Sequence, residues 1–394
     1  MIQKNNNESN INYRLSIPAV YDDIHDFSEG LAKVKINNKY GFIDKKGKLV
    51  IPIIYDYAHD FSEKLATVKI NNKWGFINQK GDLVIPNIYD NAFSFHDGLA
   101  SVKINNKYGS IDRKGNLVIP AIYDDAYDFY DELALVEIND TFGFINKTGK
   151  LVTPIIYDDA QSYSEGFTNV SINGKWGFLD KTGKLISPFI YNHAERFSEG
   201  LASVHINDKF GFIDKTGELA IPAIFDATGI FEKGLCKVFM NGRCGIIDKS
   251  GEFVIPAICT HISDFSEGLF GIVHNNTLKY VDKTNKLILT TDFICGGHFS
   301  EGLAKVVDIH KLKLGFIDKK GELVIPTIYD HISDFSEGLA VVNVDDKHGF
   351  INRKGELVIP IIYDDAHSFL KGLAKVKING KYGFIGKENI FTKY

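Results

Sequence analysis

All ten prolines of this 394-residue chain stand on one phase of a 34-residue period. They are Pro18, Pro52, Pro86, Pro120, Pro154, Pro188, Pro222, Pro256, Pro326 and Pro360. Eight of the nine gaps are 34 residues. The ninth, 70, crosses a copy in which Thr290 takes the proline's place and two residues are added. The chain is therefore one structural unit written about eleven times. Such a unit cannot bury its apolar face alone and must stack on its neighbours, so the array forms one quasi-one-dimensional body in place of the two or three domains its length suggests.

One copy shows the local structure. Leu31 to Ile36 alternates, with Ala32, Val34 and Ile36 on one face and Lys33 and Lys35 on the other, which predicts a strand with one wet face. Asn37-Asn38 predicts a tight turn, and three other copies read Asn-Gly there (Asn173-Gly174, Asn241-Gly242, Asn379-Gly380). Tyr40 to Asp44 is the return strand. Asp44-Lys-Lys-Gly47 fits a type I turn closed by a left-handed glycine, a G1-bulge hairpin. Leu49 to Tyr55 is an apolar run of strand length, expected to be buried on both faces. Its proline cannot donate to a ladder and marks an edge, a strand start or a bulge. Asp56 to Phe61 reads as a loop ending on an aromatic anchor, held by Phe in ten copies and by Tyr163 in one. Glycine recurs inside the return strand, from Gly41 to Gly383, and predicts close approach of another backbone or ring. No helical period occurs, so the fold class is all-β with three strands per repeat.

At this point the motifs resemble a known family. Lys73-Trp74-Gly75-Phe76-Ile77 and Lys175-Trp176-Gly177-Phe178-Leu179, with the flanking Phe-Ser-Glu-Gly-Leu-Ala and Leu-Val-Ile-Pro elements, are similar to the WG-repeat (KWG-repeat) family of bacterial tandem β-repeat proteins. The resemblance covers about residues 15 to 394 and implies a β-rich architecture with no general catalytic activity. The copies at about 236–315 diverge. Cys244, Leu278 and Leu314 replace the aromatic there, as His348 does later, and Lys279 replaces the glycine.

Two closures are open to such an array. The expected one is an open superhelical, solenoid-like array over residues 14–394 preceded by a flexible segment, residues 1–13. The reasons are that a propeller commonly has 4 to 8 blades, and that Arg14 to Pro18 and Asn389 to Tyr394 put the same strand at both ends. The alternative is a β-propeller or pair of propellers.

Function is less legible. The net charge of −5 gives no drive toward nucleic acid, and the polar, Asn-rich start lacks the apolar core of a signal peptide. No stretch has the length of a membrane span, so the expectation is a cytoplasmic protein without membrane or nucleic-acid partners. The recurring carboxylates Asp22, Asp56, Asp90, Asp124 and Asp158, and the pairs Ser28-Glu29 and Ser266-Glu267, read as capping and turn residues. No phosphate-binding loop, dinucleotide fingerprint or zinc-protease motif is present, so neither enzyme activity nor a cofactor is expected. Cys259, His261, Cys295 and His298 lie at matching phases of adjacent copies and form a zinc candidate, against the reading of both cysteines as small buried apolar residues. The outward phase of Lys35 turns apolar in three consecutive copies, Phe239, Val273 and Val307, flanked by His205 and Asn343. An exposed apolar stripe there is the expected partner site. The expected function is a non-enzymatic scaffold for another protein, with glycan binding or self-assembly as alternatives.

Overall fold

A computed structural model describes residues 13–387. The first copy folds as β1 (Tyr13–Tyr21), β2 (Asp23–Ile24), β3 (Leu31–Ile36), β4 (Lys39–Asp44) and β5 (Leu49–Tyr55). Strands β2 to β5 hydrogen-bond in that order as one antiparallel sheet. There are eleven such sheets, ten of four strands and one, Asp125–Tyr130 to Thr141–Asn146, of three, with its outer segment joined by the isolated bridges Phe142↔Tyr157 and Ile145↔Leu151. Each sheet is a blade. Here blade 1 is β2–β5, and blades 2 to 11 follow in chain order.

The turns form as their residues dictate. Asn37 and Asn38 both take positive φ, 50° and 60°, the pair of left-handed residues a two-residue hairpin needs. Gly47 closes the next hairpin at φ 79°. Its N–H donates to Asp44 O, while the Asp44 carboxylate accepts the N–H groups of Lys46 and Lys48 at 2.9 Å. A β-carbon on Gly41 would lie 2.7 Å from Ile51 O, so glycine is there because β5 passes too close for any side chain.

Three expectations need correction. Each repeat has a fourth strand, here β2, hidden from sequence reading because it is two residues long and too short to show a period. The β5 run is not buried on both faces. Ile51 and Tyr55 point inward, whereas Leu49, Pro52 and Ile54 are exposed, because β5 is an edge strand whose outward phases also happen to be apolar. Nor is β3 wet on one side: Lys33 is 5% exposed, its ammonium within 6 Å of the Tyr40 and Tyr57 rings.

The array is closed. Blade 11 consists of Asp365–Ala366, Leu373–Ile378 and Lys381–Lys387, and its fourth strand is β1 from the other end of the chain. The register runs Tyr13↔Lys387, Leu15↔Ile385, Ile17↔Phe384 and Tyr21↔Tyr382. The structure is thus an eleven-bladed β-propeller, the alternative closure, and the open array is set aside. The physical reason lies in the N-terminal strand. Leu15 to Tyr21 has the phase of Leu49 to Tyr55, and it supplies the strand that completes the last sheet instead of capping an end. The expected terminal strand at Asn389 to Tyr394 lies outside the described residues, as does the segment called flexible except for Tyr13. Closure also removes the two exposed sheet ends an open array would leave.

The core is a series of clusters between adjacent blades. Ile51, Tyr55, Ala58, Phe61 and Val68 pack between blades 1 and 2. At the closure, Ile17, Tyr21, Ile24, Val34 and Phe384 form the corresponding cluster. Among the described residues no helix is long and apolar enough to cross a membrane.

Candidate functional site

The repeated polar residues act first as clasps between blades. On the side of the ring that carries the Asp44–Gly47 hairpins, each Phe-Ser-Glu-Gly-Leu turn meets the next blade. Ser28 Oγ–H donates to Phe61 O at 2.7 Å, and the Ser62–Phe95, Ser164–Phe197, Ser198–Phe231, Ser300–Phe335 and Ser336–Phe369 pairs repeat the bond. The following carboxylate accepts a turn N–H of the next blade. Glu63 takes Gly98 N–H, Glu199 takes Gly234, Glu267 takes Gly302 and Glu337 takes Gly372. A basic residue from that next blade's hairpin completes the grip: Arg113 on Glu63, Lys215 on Glu165 at 3.1 Å, Lys319 on Glu267 at 3.0 Å. Burial pushes the Glu267 carboxyl up, but the Lys319 ammonium and the Gly302 N–H outweigh it and hold the group below the usual carboxylate range.

The opposite side has its own clasp. Asp56, between β5 and the next blade, accepts the Lys39 ammonium of blade 1 and the Asn71 N–H of blade 2. Those two bonds hold its pKa down. Lys73–Asp90, Lys347–Asp364 and, across the ring closure, Lys381–Asp22 repeat the arrangement. The capping reading of these aspartates was right in kind. It missed that the capped turn and the bound lysine belong to adjacent blades.

The expected partner stripe takes a different form. The Lys35 phase pairs across the hairpin with the aromatic phase: Lys35↔Tyr40, Lys69↔Trp74 and Lys103↔Tyr108, each ammonium 5.0 to 5.6 Å from the ring centre. In the divergent copies both partners change together. Phe239 faces Cys244, Val273 faces Leu278, and Val307 faces Leu314. His205 lies 4.6 Å from the Phe210 ring, and Asn343 contacts His348 at 3.2 Å. In these three copies the outward residue is apolar and the ring that could accept a cation is absent. Val273 is only 8% exposed and packs on Leu278 and Phe299, and Asn343 is also 8% exposed, whereas Phe239 is 39% exposed. The five residues do share one phase, but they do not make a continuous exposed stripe. The pairing signal was present in the sequence as the matched phases of residues five apart.

The zinc candidate does not assemble. Cys259 is wholly buried beside Cys244, whose thiol approaches the Cys259 carbonyl oxygen, and burial pushes the Cys259 thiol up to about 11. His261 is exposed, Cys295 is exposed, and His298 lies 3.8 Å from Asp334. Among the described residues no three His, Cys, Asp or Glu side chains are grouped to hold a metal.

What sequence reading missed is the free edge. Ile54, Ile88, Ile122, Ile156, Ile190 and their counterparts are each about half exposed, Ile88 the most at 60%, beside the similarly exposed Leu49, Leu83 and Leu117 phase. With the exposed proline between them, two apolar side chains recur at the same place on nearly every blade. The alternation of burial along β5 could not be seen in a run whose every residue is apolar.

The profile of the WG-containing repeat matches at residues 12–40, 40–74, 74–108, 108–141, 142–176, 176–210, 210–244, 245–277, 315–347 and 349–382. The stretch between 277 and 315 holds the copy with Lys279 and Thr290. Comparison with curated protein sequences gave no match. Among solved structures, a eukaryotic initiation factor is 11% identical with TM-score 0.42, covering 70% of this chain and 89% of that one. The extracellular domain of a putative one-component system from B. thetaiotaomicron is 11% identical with TM-score 0.26, covering 98% and 74%. Kluyveromyces lactis Hsv2 is 9% identical with TM-score 0.29, covering 65% and 94%. Values this low carry no inference about function. The ten tandem matches span most of the length, and the chain belongs to the WG-containing-repeat family.

Proposed function

We propose that this propeller is a non-enzymatic scaffold that binds another protein through the free edges of its blades. The observation that supports this is the recurring pair of exposed apolar side chains at the Leu49 and Ile54 phases. Isolated exposed leucines are ordinary, but a regular apolar repetition over nearly every blade of a ring is the kind of surface that marks interaction sites. Proline on the same strand removes a backbone donor, which disfavours edge-to-edge pairing with a second copy and leaves side-chain contact as the mode of binding. Glycan stacking is the weaker reading, because Trp74 is 8% exposed, with His59 stacked on it and the Lys69 ammonium 5.6 Å from its ring. The recurring carboxylates of the Lys–Asp and Glu–Gly pairs are engaged in clasps, and a cytoplasmic setting agrees with four free cysteines.

The test is Ile88→Lys/Ile122→Lys/Ile156→Lys on three adjacent blades. The edge positions are exposed, so the variant should fold. A protein captured by the wild type and not by this variant, with direct binding re-measured between purified components, supports the proposal. Capture unaffected by the three charges, or assembly of the wild type with itself alone, refutes it.

A further inference from the structure

Two of the eleven carboxylate phases carry lysine, Lys233 and Lys371, and the preceding serine phase there is Glu232 and Leu370. These are the junctions of blades 7 with 8 and of blade 11 with blade 1. Both lack the serine donor and the carboxylate, and both open into a cleft. One is lined by Lys233, Cys236 and Phe265, the other by Phe27, Leu370 and Lys371, each about 270 Å³. The anchor ring of the following blade loosens at these places. Phe27 and Phe265 are partly exposed, while Phe61, Phe95, Phe197, Phe231 and Phe335 are buried.

At the ring closure the receiving groups of the clasp are all retained. Gly30 occupies the phase of Gly98 and Gly302, whose N–H groups bind Glu63 and Glu267, and no acceptor meets Gly30 N–H among the described residues. Lys45 occupies the phase of Arg113 and Lys319, which pair with those same carboxylates. Lys371 adds a second ammonium, and Lys45, Gly30 and Lys371 all line the one cleft. Glu29 also lines it but is engaged by the Lys64 N–H of blade 2, and Asp26 lines it with no ion pair among the described residues. Phe27, Leu370, Leu373 and Phe384 form the apolar wall.

We infer that this cleft binds the carboxylate of a small apolar acid, which takes the place that Glu63 or Glu267 takes at other junctions. The donors are a backbone N–H and the Lys45 ammonium, the combination that already holds Glu165 and Glu267 elsewhere in the ring, with the Lys371 ammonium added. A cavity of about 270 Å³ is slightly below the roughly 300 Å³ at which small-molecule pockets begin. The ligand is therefore the size of an amino acid derivative, either free or as the last residue of a peptide. This inference is independent of the apolar edge, since the two lie on different phases of the repeat.

The experiment follows the Leu370 and Leu373 methyl resonances of the full chain during titration with N-acetyl-leucine, with N-acetyl-leucinamide, and with a short peptide ending in a free leucine. The acid should shift these methyls at least about tenfold more tightly than the amide, as expected for loss of a charge-assisted bond. Lys371→Gln should weaken the acid and leave the fold intact. The peptide distinguishes the source: binding like the acid identifies a chain terminus as an acceptable ligand, and failure restricts the site to free acids. Leu370→Ser/Lys371→Glu should rebuild the clasp, abolish acid binding and raise the unfolding midpoint. Methyls that ignore the acid, or that respond equally to acid and amide, overturn the inference. So does a rebuilt clasp that leaves acid binding unchanged.

Discussion

Substitution of one isoleucine at the ring closure distinguishes a closed ring from an array with a frayed end. Ile17 of β1 is fully buried, and Gly47 of the adjoining hairpin sits over it, its β-carbon position 3.4 Å from Ile17 Cγ1. Ile51, one repeat later, is equally buried and lies under Gly81 at the same 3.4 Å. In a closed ring the two positions are equivalent. Truncation to alanine removes about three carbon groups at about 0.8 kcal/mol each and leaves a cavity, for a total loss of about 2–5 kcal/mol at either site. With a urea slope near 3 kcal/mol per M, each variant shifts the midpoint by roughly 1 M. Ile17→Ala and Ile51→Ala are compared by urea titration followed by far-ultraviolet circular dichroism, with Ile119→Ala as a third site far from the closure. The expected result is three similar shifts. A shift for Ile17→Ala of under roughly a quarter of the other two would mean that β1 is a loose terminal strand, and the reasoning from register would fail.

Other perturbations follow from the clasps and close contacts. Gly109→Ala places a β-carbon 2.4 Å from Ile119 O and should lower stability by about 1–3 kcal/mol or more, read by the same titration. The aspartates of the Lys–Asp clasps, Asp56, Asp90 and Asp364 among them, have pKa values lowered first by their lysine partners. Their contribution is complete above the unfolded carboxylate value near 4 and is lost as pH falls through the lower folded values. Thermal midpoints should therefore decline on acidification below about pH 4, and Asp56→Asn/Asp90→Asn/Asp364→Asn should flatten that decline. Iodide should quench Trp74 poorly and Trp176 more, since Trp74 is buried and Trp176 only partly so; single-tryptophan variants (Trp176→Phe and Trp74→Phe) measure this.

Much of the fold was legible in the residues because each device recurs in most of the eleven copies. The Asn-Asn turn, the Asp-to-Gly hairpin and the in-strand glycine all form as read, since each rests on a local steric rule that neighbours do not override. What failed to show was non-local. The two-residue strand Asp23–Ile24 has no period of its own, and the partner of β1 lies more than 360 residues away, at Lys381–Lys387. Phase counting saw that Arg14 to Pro18 repeats a strand but could not tell a cap from a missing blade edge. The Phe239, Val273 and Val307 row stands out in the sequence as apolar where every other copy is polar. That each of the three faces a position that has also lost its aromatic, at Cys244, Leu278 and Leu314, needed the cross-strand register. The exposed edge was hidden for the opposite reason: Leu49 to Tyr55 is apolar throughout, so nothing in its sequence separates the buried Ile51 from the exposed Ile54.

The most direct test of the closed ring is the distance between its two ends. Arg14 and Gly386 are register partners on adjacent antiparallel strands, which places their α-carbons about 4.5–5.5 Å apart. Energy transfer between dyes attached at Arg14→Cys and Gly386→Cys, with the exposed Cys295 changed to serine, should be nearly complete in the native protein and fall on unfolding. Weak transfer in the native state would mean that the ends are far apart, and the eleven-bladed ring would be contradicted.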